Sequence, residues 1–76
     1  MSRRPRITGS DLLTALAKAG FAVKRTKGSH HFLAHHDGRR TVVPVHSGET
    51  IGPGLLQKII RDCQISVQEL EELLTG

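Results

Sequence analysis

Apolar positions along the chain repeat with a period near 3.6 in some stretches and with a period of two in others. Between Thr8 and Gly20 they fall at Leu12, Leu13 and Leu16, with Ala17 or Ala19 completing the stripe, which is the spacing of one helix face. The stretch opens with Thr8-Gly9-Ser10-Asp11, a helix-start pattern in which the hydroxyl accepts an early backbone N–H and the carboxylate sits at the positive end of the helix dipole. Gly20 supplies the left-handed residue that ends the helix at about Ala19, and Lys18 falls on the solvent side. From Phe21 the period is two: Phe21 and Val23 alternate with Ala22 and Lys24 before Arg25-Thr26-Lys27-Gly28, which reads as a basic turn region. Ser29 to His36 reads as a second strand. Asp37-Gly38 then suits a two-residue type I′ hairpin, and Arg39 to Val45 forms a third strand, with Pro44 implying an edge or a strand end.

The loop His46-Ser47-Gly48-Glu49-Thr50 leads to Gly52-Pro53-Gly54, where Pro53 suits the first turn of a helix whose broad apolar face is Leu55, Leu56, Ile59, Ile60 and Cys63. Lys58 and Arg61 lie on its surface. Ser66-Val67-Gln68-Glu69 is a capping box that starts a short acidic helix, with Val67, Leu70 and Leu73 or Leu74 folding back on the core. The fold class is therefore α+β, in the order α-β-β-β-α with a short C-terminal helix. Three antiparallel strands have one face to bury, and two helices suffice to cover it.

The length of 76 residues corresponds to a single domain, residues 1–76, in which residues 1–6 read as a flexible basic N-terminus. A domain this small buries only about 60% of the surface its unfolded chain exposes. With Phe21 and Phe32 as the only aromatics, a deep cavity is not expected and a substrate would lie on an open face. Cys63 is the sole cysteine, which excludes a disulfide framework and a cysteine-based zinc site. Met1-Ser2-Arg3-Arg4-Pro5-Arg6 leads into no apolar run, so no signal peptide is read, and no stretch has the roughly 20 apolar residues of a membrane span. A cytoplasmic protein is expected.

Charge is unevenly distributed. Residues 1–61 hold all eleven Lys and Arg against Asp11, Asp37 and Glu49, a balance of +8, whereas residues 62–76 carry four carboxylates and no cation. Such a basic body attracts polyanions, of which nucleic acid is the commonest met by a soluble domain.

Five histidines invite a metal hypothesis, but His30, His31, His35 and His36 cannot converge from one strand. Adjacent residues point to opposite faces, and same-face pairs four or six residues apart are separated by roughly 13 to 20 Å. No metal and no cofactor is expected, and His35 and His36, beside the hairpin turn, read as solvated or phosphate-contacting. His30 differs in its company: it follows Lys27-Gly28-Ser29 at the start of a strand, with Lys24 and Arg25 upstream. An imidazole can take or give a proton at neutral pH, and the cations would hold a phosphodiester. RNA carries its own nucleophile in the 2′-hydroxyl, so orientation, proton transfer and charge stabilisation suffice, and that route needs no metal.

Several strings in fixed order carry a family likeness: Ala19-Gly20-Phe21, Lys27-Gly28-Ser29-His30-His31-Phe32, His35-His36-Asp37-Gly38-Arg39-Arg40, Val43-Pro44-Val45-His46 and Gly54-Leu55-Leu56-Gln57-Lys58-Ile59-Ile60. From about Thr8 to Leu74 the chain resembles the HicA family of bacterial and archaeal toxins, small messenger-RNA endonucleases of toxin-antitoxin pairs. The resemblance implies a double-stranded-RNA-binding-domain-like fold and a catalytic histidine in the Gly-Ser-His motif, here His30, with Gly28 and Ser29 as motif backbone and Gly28 letting the RNA approach. It implies a HicB-type antitoxin as partner, and contact with DNA only through the complex with that antitoxin. His36 stands where the family's hairpin often has Pro. The second helix also lacks the lysine cluster with which duplex-RNA modules grip phosphates, so single-stranded or translating mRNA is the expected substrate. Acting as base or acid, His30 would yield a 2′,3′-cyclic phosphate; the second proton-transfer group is His31, His46 or Lys27, and Lys24, Arg25, Lys27, Arg39 and Arg40 are the phosphate contacts. The competing reading is a non-catalytic RNA-binding or adaptor domain using the same basic face.

Overall fold

The structure is a computed structural model and describes residues 6–76, so the expectation of a flexible N-terminus falls almost wholly outside the described residues. Helix α1 spans Gly9–Lys18, strands β1, β2 and β3 span Phe21–Lys27, His30–His35 and Arg40–Pro44, and helices α2 and α3 span Pro53–Cys63 and Val67–Thr75. The three strands form one antiparallel sheet in the order β1-β2-β3, the α+β layout that the hydrophobic pattern implies.

The capping boxes at Thr8 and Ser66 both form: each hydroxyl accepts the N3 backbone N–H, and the N3 carboxylate of Asp11 or Glu69 accepts the N-cap N–H. Helix α2 begins without a side-chain cap, at Gly52, and ends on Gln64 in the left-handed region at φ 57°, with Ile65 N–H donating to Ile60 O and Gln64 N–H to Arg61 O. All three helices lie on the sheet face that carries Phe21, Leu33, Thr41 and Val43. These residues form the core with Ile7, Leu12, Ala15, Leu16, Leu56, Ile59, Ile60, Cys63 and Leu70. Thr41, the one polar residue among them, donates its hydroxyl to Asp62 on α2, whose carboxylate also accepts from Lys58. Among the described residues no helix is long and apolar enough to cross a membrane.

Several expectations need correction. On α1, Ala15 is buried and Ala17 is exposed, because the buried stripe runs Leu12, Ala15, Leu16. Leu55 and Val67 are exposed, since the buried stripe of α2 passes through Leu56, Ile59, Ile60 and Cys63, and α3 turns Leu70 inward. Lys18 is on the surface, yet its Nζ donates to Leu73 O near the C-terminal end of α3. Arg25, Thr26 and Lys27 belong to β1, with the turn confined to Gly28-Ser29. Gly28 alone has positive φ (59°), as a two-residue hairpin turn of the II′ kind requires at its first position.

The second hairpin is not a two-residue type I′ turn. Only Gly38 has positive φ, and Asp37 does not, because its carboxylate accepts the Arg39 N–H at 3.1 Å. Gly38 N–H donates to His35 O and His35 N–H to Arg39 O, leaving a three-residue loop at 36–38 that shortens both strands by a residue.

Candidate nucleic-acid interface and active site

Strand pairing decides which side chains share a face. Leu33 is buried against the helices, so its odd-numbered companions His31 and His35 point that way, while His30, Phe32 and Ala34 point to the opposite face. No described element packs on that opposite face.

Strand β1 reaches it through an irregularity. Phe21 pairs with His35 and Val23 with Leu33, but the register then shifts and Arg25 pairs with Phe32 and Lys27 with His30. Lys24 is the extra residue of a β-bulge. In a regular strand Arg25 and Lys27 would share the face of Phe21 and Val23; one inserted residue inverts the alternation and moves both cations to the side of His30.

Two cross-strand rows result. In one, His30 lies between Lys27 on β1 and Pro44 on β3; in the next, Phe32 lies between Arg25 and Val42. Same-face positions on a strand are about 6.6 Å apart, which is the spacing of the rows. The Arg25 guanidinium sits 4.6 Å from the centroid of the Phe32 ring. Arg40 pairs with Ala34, one row farther on. Lys24, Arg25, Phe32, Ala34, Arg40 and Val42 line an open groove of about 770 Å³ that runs past the edge of β3 to Lys58 and Asp62. His30 is exposed.

The other candidates divide into groups. His31 lies on the helix side, partly buried, with Nδ1 3.2 Å from Ser29 O, so it does not share a face with His30. His46 is exposed and follows Pro44, the cross-strand neighbour of His30, by two residues. The hairpin around Gly28 and Ser29 is fixed to the segment just after β3 by Val45 N–H donating to Ser29 O. A Cβ added at Gly28 would meet nothing within 4 Å, so the positive φ at this tip is its only local requirement for glycine.

His35 is not the solvated residue expected. Its side chain is 10% exposed and meets Phe21 edge-on at 5.1 Å, with Nδ1 3.1 Å from the Asp37 backbone N. Its ring occupies the space in which a Cβ on Gly20 would lie, 2.7 Å from Nε2, so glycine is needed there for space as well as for its φ of +99°. His36 is outside the strand, and its ring packs on that of His35 at 4.3 Å.

Arg39 stands apart from the other basic residues. Its Nε reaches both oxygens of Asp37, its Nη1 donates to Cys63 O at 2.6 Å, and its guanidinium lies 5.1 Å from the Phe21 centroid. Hydrogen bonds from Arg39 hold the Asp37 carboxyl well below the ordinary range, at about 2. Burial, helped by the charge of Asp62, pushes the Cys63 thiol up to about 11. Among the described residues no group of three or more His, Cys, Asp or Glu side chains is placed to hold a metal ion.

Sequence reasoning missed the bulge at Lys24, the place of Phe32 on the open face, and Pro44 beside His30. No apolar residue follows Val23 in β1 to reveal the change of phase. The break was visible only as two successive basic residues, Lys24-Arg25, where alternation should have continued.

A family model described as the HicA toxin of bacterial toxin-antitoxin systems matches residues 9–65, from the start of α1 through the end of α2. The match takes in the whole sheet and every candidate residue, and stops short of the Leu74 to which the likeness of motifs extends. Comparison with curated proteins gave no match.

Proposed function

The chain belongs to the HicA family of bacterial toxins, and on that premise we propose that it is an endoribonuclease that cleaves messenger RNA through His30. The observation that carries the reading is the row Lys27–His30–Pro44: an exposed imidazole on a sheet face free of described elements, directly opposite a cation. The strand lies across this face with its phosphates on Lys24, Arg25, Lys27 and Arg40. The imidazole takes the proton of the 2′-hydroxyl as the 2′-oxygen attacks phosphorus, or, when protonated, supplies the proton to the 5′-oxygen as the P–O5′ bond breaks. Either route leaves a 2′,3′-cyclic phosphate, and neither calls for a metal or cofactor. Lys27 is the group best placed to neutralise the phosphorane or complete the second proton transfer, with His46 at the same end of the sheet. Gly28 and Ser29 keep the hairpin tip narrow enough for the backbone to pass.

A general acid or base contributes about 10²- to 10⁴-fold to such a step. In this reading the toxin acts on single-stranded or translating mRNA in the cytoplasm. A HicB-type antitoxin silences it by covering this face, and contact with DNA is made only through that complex.

The test is incubation of the purified protein with RNA in EDTA. Wild type is expected to give fragments ending in cyclic phosphate, and a folded His30→Ala protein to lose at least about 10² in rate and to permit growth. Equal cleavage by the two proteins would sink the assignment. Intact RNA that nevertheless shifts on a gel would favour the non-catalytic binding domain.

A further inference from the structure

Phe32 is one of two aromatic residues in the chain, and unlike Phe21 it is not buried in the core. It lies in the centre of the open face, with Arg25 across β1, Val42 across β3 and Arg40 one row beyond. The ring is only partly buried and stands outside the core, so it offers apolar surface on this side of the sheet. The cations around it select against a cationic or purely apolar occupant. The groove is also too open to enclose a small molecule; it runs from the Phe32 row to Arg40, Lys58 and Asp62, and the His30 row borders Phe32 on the other side.

We propose that Phe32 and the Arg25 guanidinium form a stacking platform for one unpaired nucleobase of the RNA strand, next to the nucleotide whose phosphate lies at His30. Aromatic rings and guanidinium planes are the two surfaces on which single-stranded bases stack, and every base has a face that suits them. The Arg25 guanidinium already lies over the Phe32 ring, 4.6 Å from its centroid, and the base extends that stack on its outer side. The row spacing of about 6.6 Å between Phe32 and His30 is one that a single extended nucleotide bridges. A base held there fixes the register of the strand, so that one phosphodiester and no other meets the imidazole. It also requires the base to be unpaired, which selects single-stranded RNA over duplex. Phe32 is thus a positioning residue.

The inference rests on the RNA-cleaving reading but is tested apart from it, with a fluorescent 2′-O-methyl oligonucleotide that cannot be cut. Phe32→Leu is expected to weaken binding about tenfold with an unchanged salt slope, and Phe32→Tyr to restore it. Thermal melting checks that both variants are folded. An abasic residue at the stacked position should cost wild type a similar factor and cost Phe32→Leu nothing further. Wild-type affinity in Phe32→Leu, or losses that simply multiply, would overturn the platform. So would an unchanged affinity for RNA beside a weakened affinity for a protein partner, which would make the face a protein-docking surface. Tight, Phe32-dependent binding without cleavage of ordinary RNA would leave the platform standing and remove the endonuclease.

Discussion

Arg39 and Arg40 are adjacent in sequence, equally basic and expected from sequence to do the same work, yet their surroundings differ. Replacing Arg39 by Ala removes a charged hydrogen bond to the Cys63 carbonyl at the end of α2 and a cation–π contact with Phe21. A charged hydrogen bond contributes about 1.5 kcal/mol or somewhat more, and an exposed-to-intermediate cation–π contact about 0.5–1 kcal/mol. The Asp37 bridge is too exposed to add reliably, so the expected loss is about 2 kcal/mol from these two contacts alone. In a domain of this size that lowers Tm by about 8–16 °C. Arg40→Ala, on the open face, should change stability by no more than about 0.5 kcal/mol. RNA affinity is expected to reverse the order: Arg40→Ala weakens binding and reduces the salt slope by about one, while Arg39→Ala leaves both unchanged below its melting temperature. Melting curves and salt titrations with the uncleavable oligonucleotide check both halves. An Arg39→Ala protein that melts like wild type and loses affinity as Arg40→Ala does would refute the separation.

Two further outcomes follow from titrating groups. The Asp37 carboxyl titrates near 2 when folded and at its ordinary value of 3.8 when unfolded, so its ion pair stabilises the fold above about pH 4 and the benefit is lost as pH falls toward 2. The unfolding midpoints of wild type and Asp37→Asn should therefore converge over that window, and a difference that persists below pH 2 would contradict the assignment. The Cys63 thiol, fully buried and titrating near 11, should resist alkylation at pH 8 in the native protein and react at once in denaturant, as mass spectrometry of the labelled chain would show.

The helices were legible because their signals are local. Thr8 with Asp11 and Ser66 with Glu69 fix two starts within four residues each, and Leu56, Ile59, Ile60 and Cys63 set a buried stripe that does not depend on the rest of the chain. Leu55 shows the limit of such reasoning. It borders the stripe on a helical wheel, and only the position of the sheet decides that it stays exposed. The sheet depends on relations between strands, which a single sequence does not carry. The type of the second hairpin turned on whether Asp37 took a positive φ or accepted from Arg39, and the role of Arg39 on a carbonyl 24 positions away. The likeness of motifs singled out His30 without its face being known.

That face is set by parity. His30 and His31 are adjacent on a strand, so one must point to the helices and the other away. Leu33, buried and three positions from His30, assigns His30 to the open side. By the same rule Arg25 and Lys27 should have joined Phe21 and Val23 on the helix side of the sheet, away from His30. Without the bulge the hairpin would have to bring a cation to His30 from some residue other than Lys27, since even-numbered Thr26 would be the one to share its face. A single inserted residue, Lys24, turns Arg25 and Lys27 to the open face and sets Lys27 opposite His30. The basic stretch and the histidine motif therefore lie on one surface because β1 is irregular.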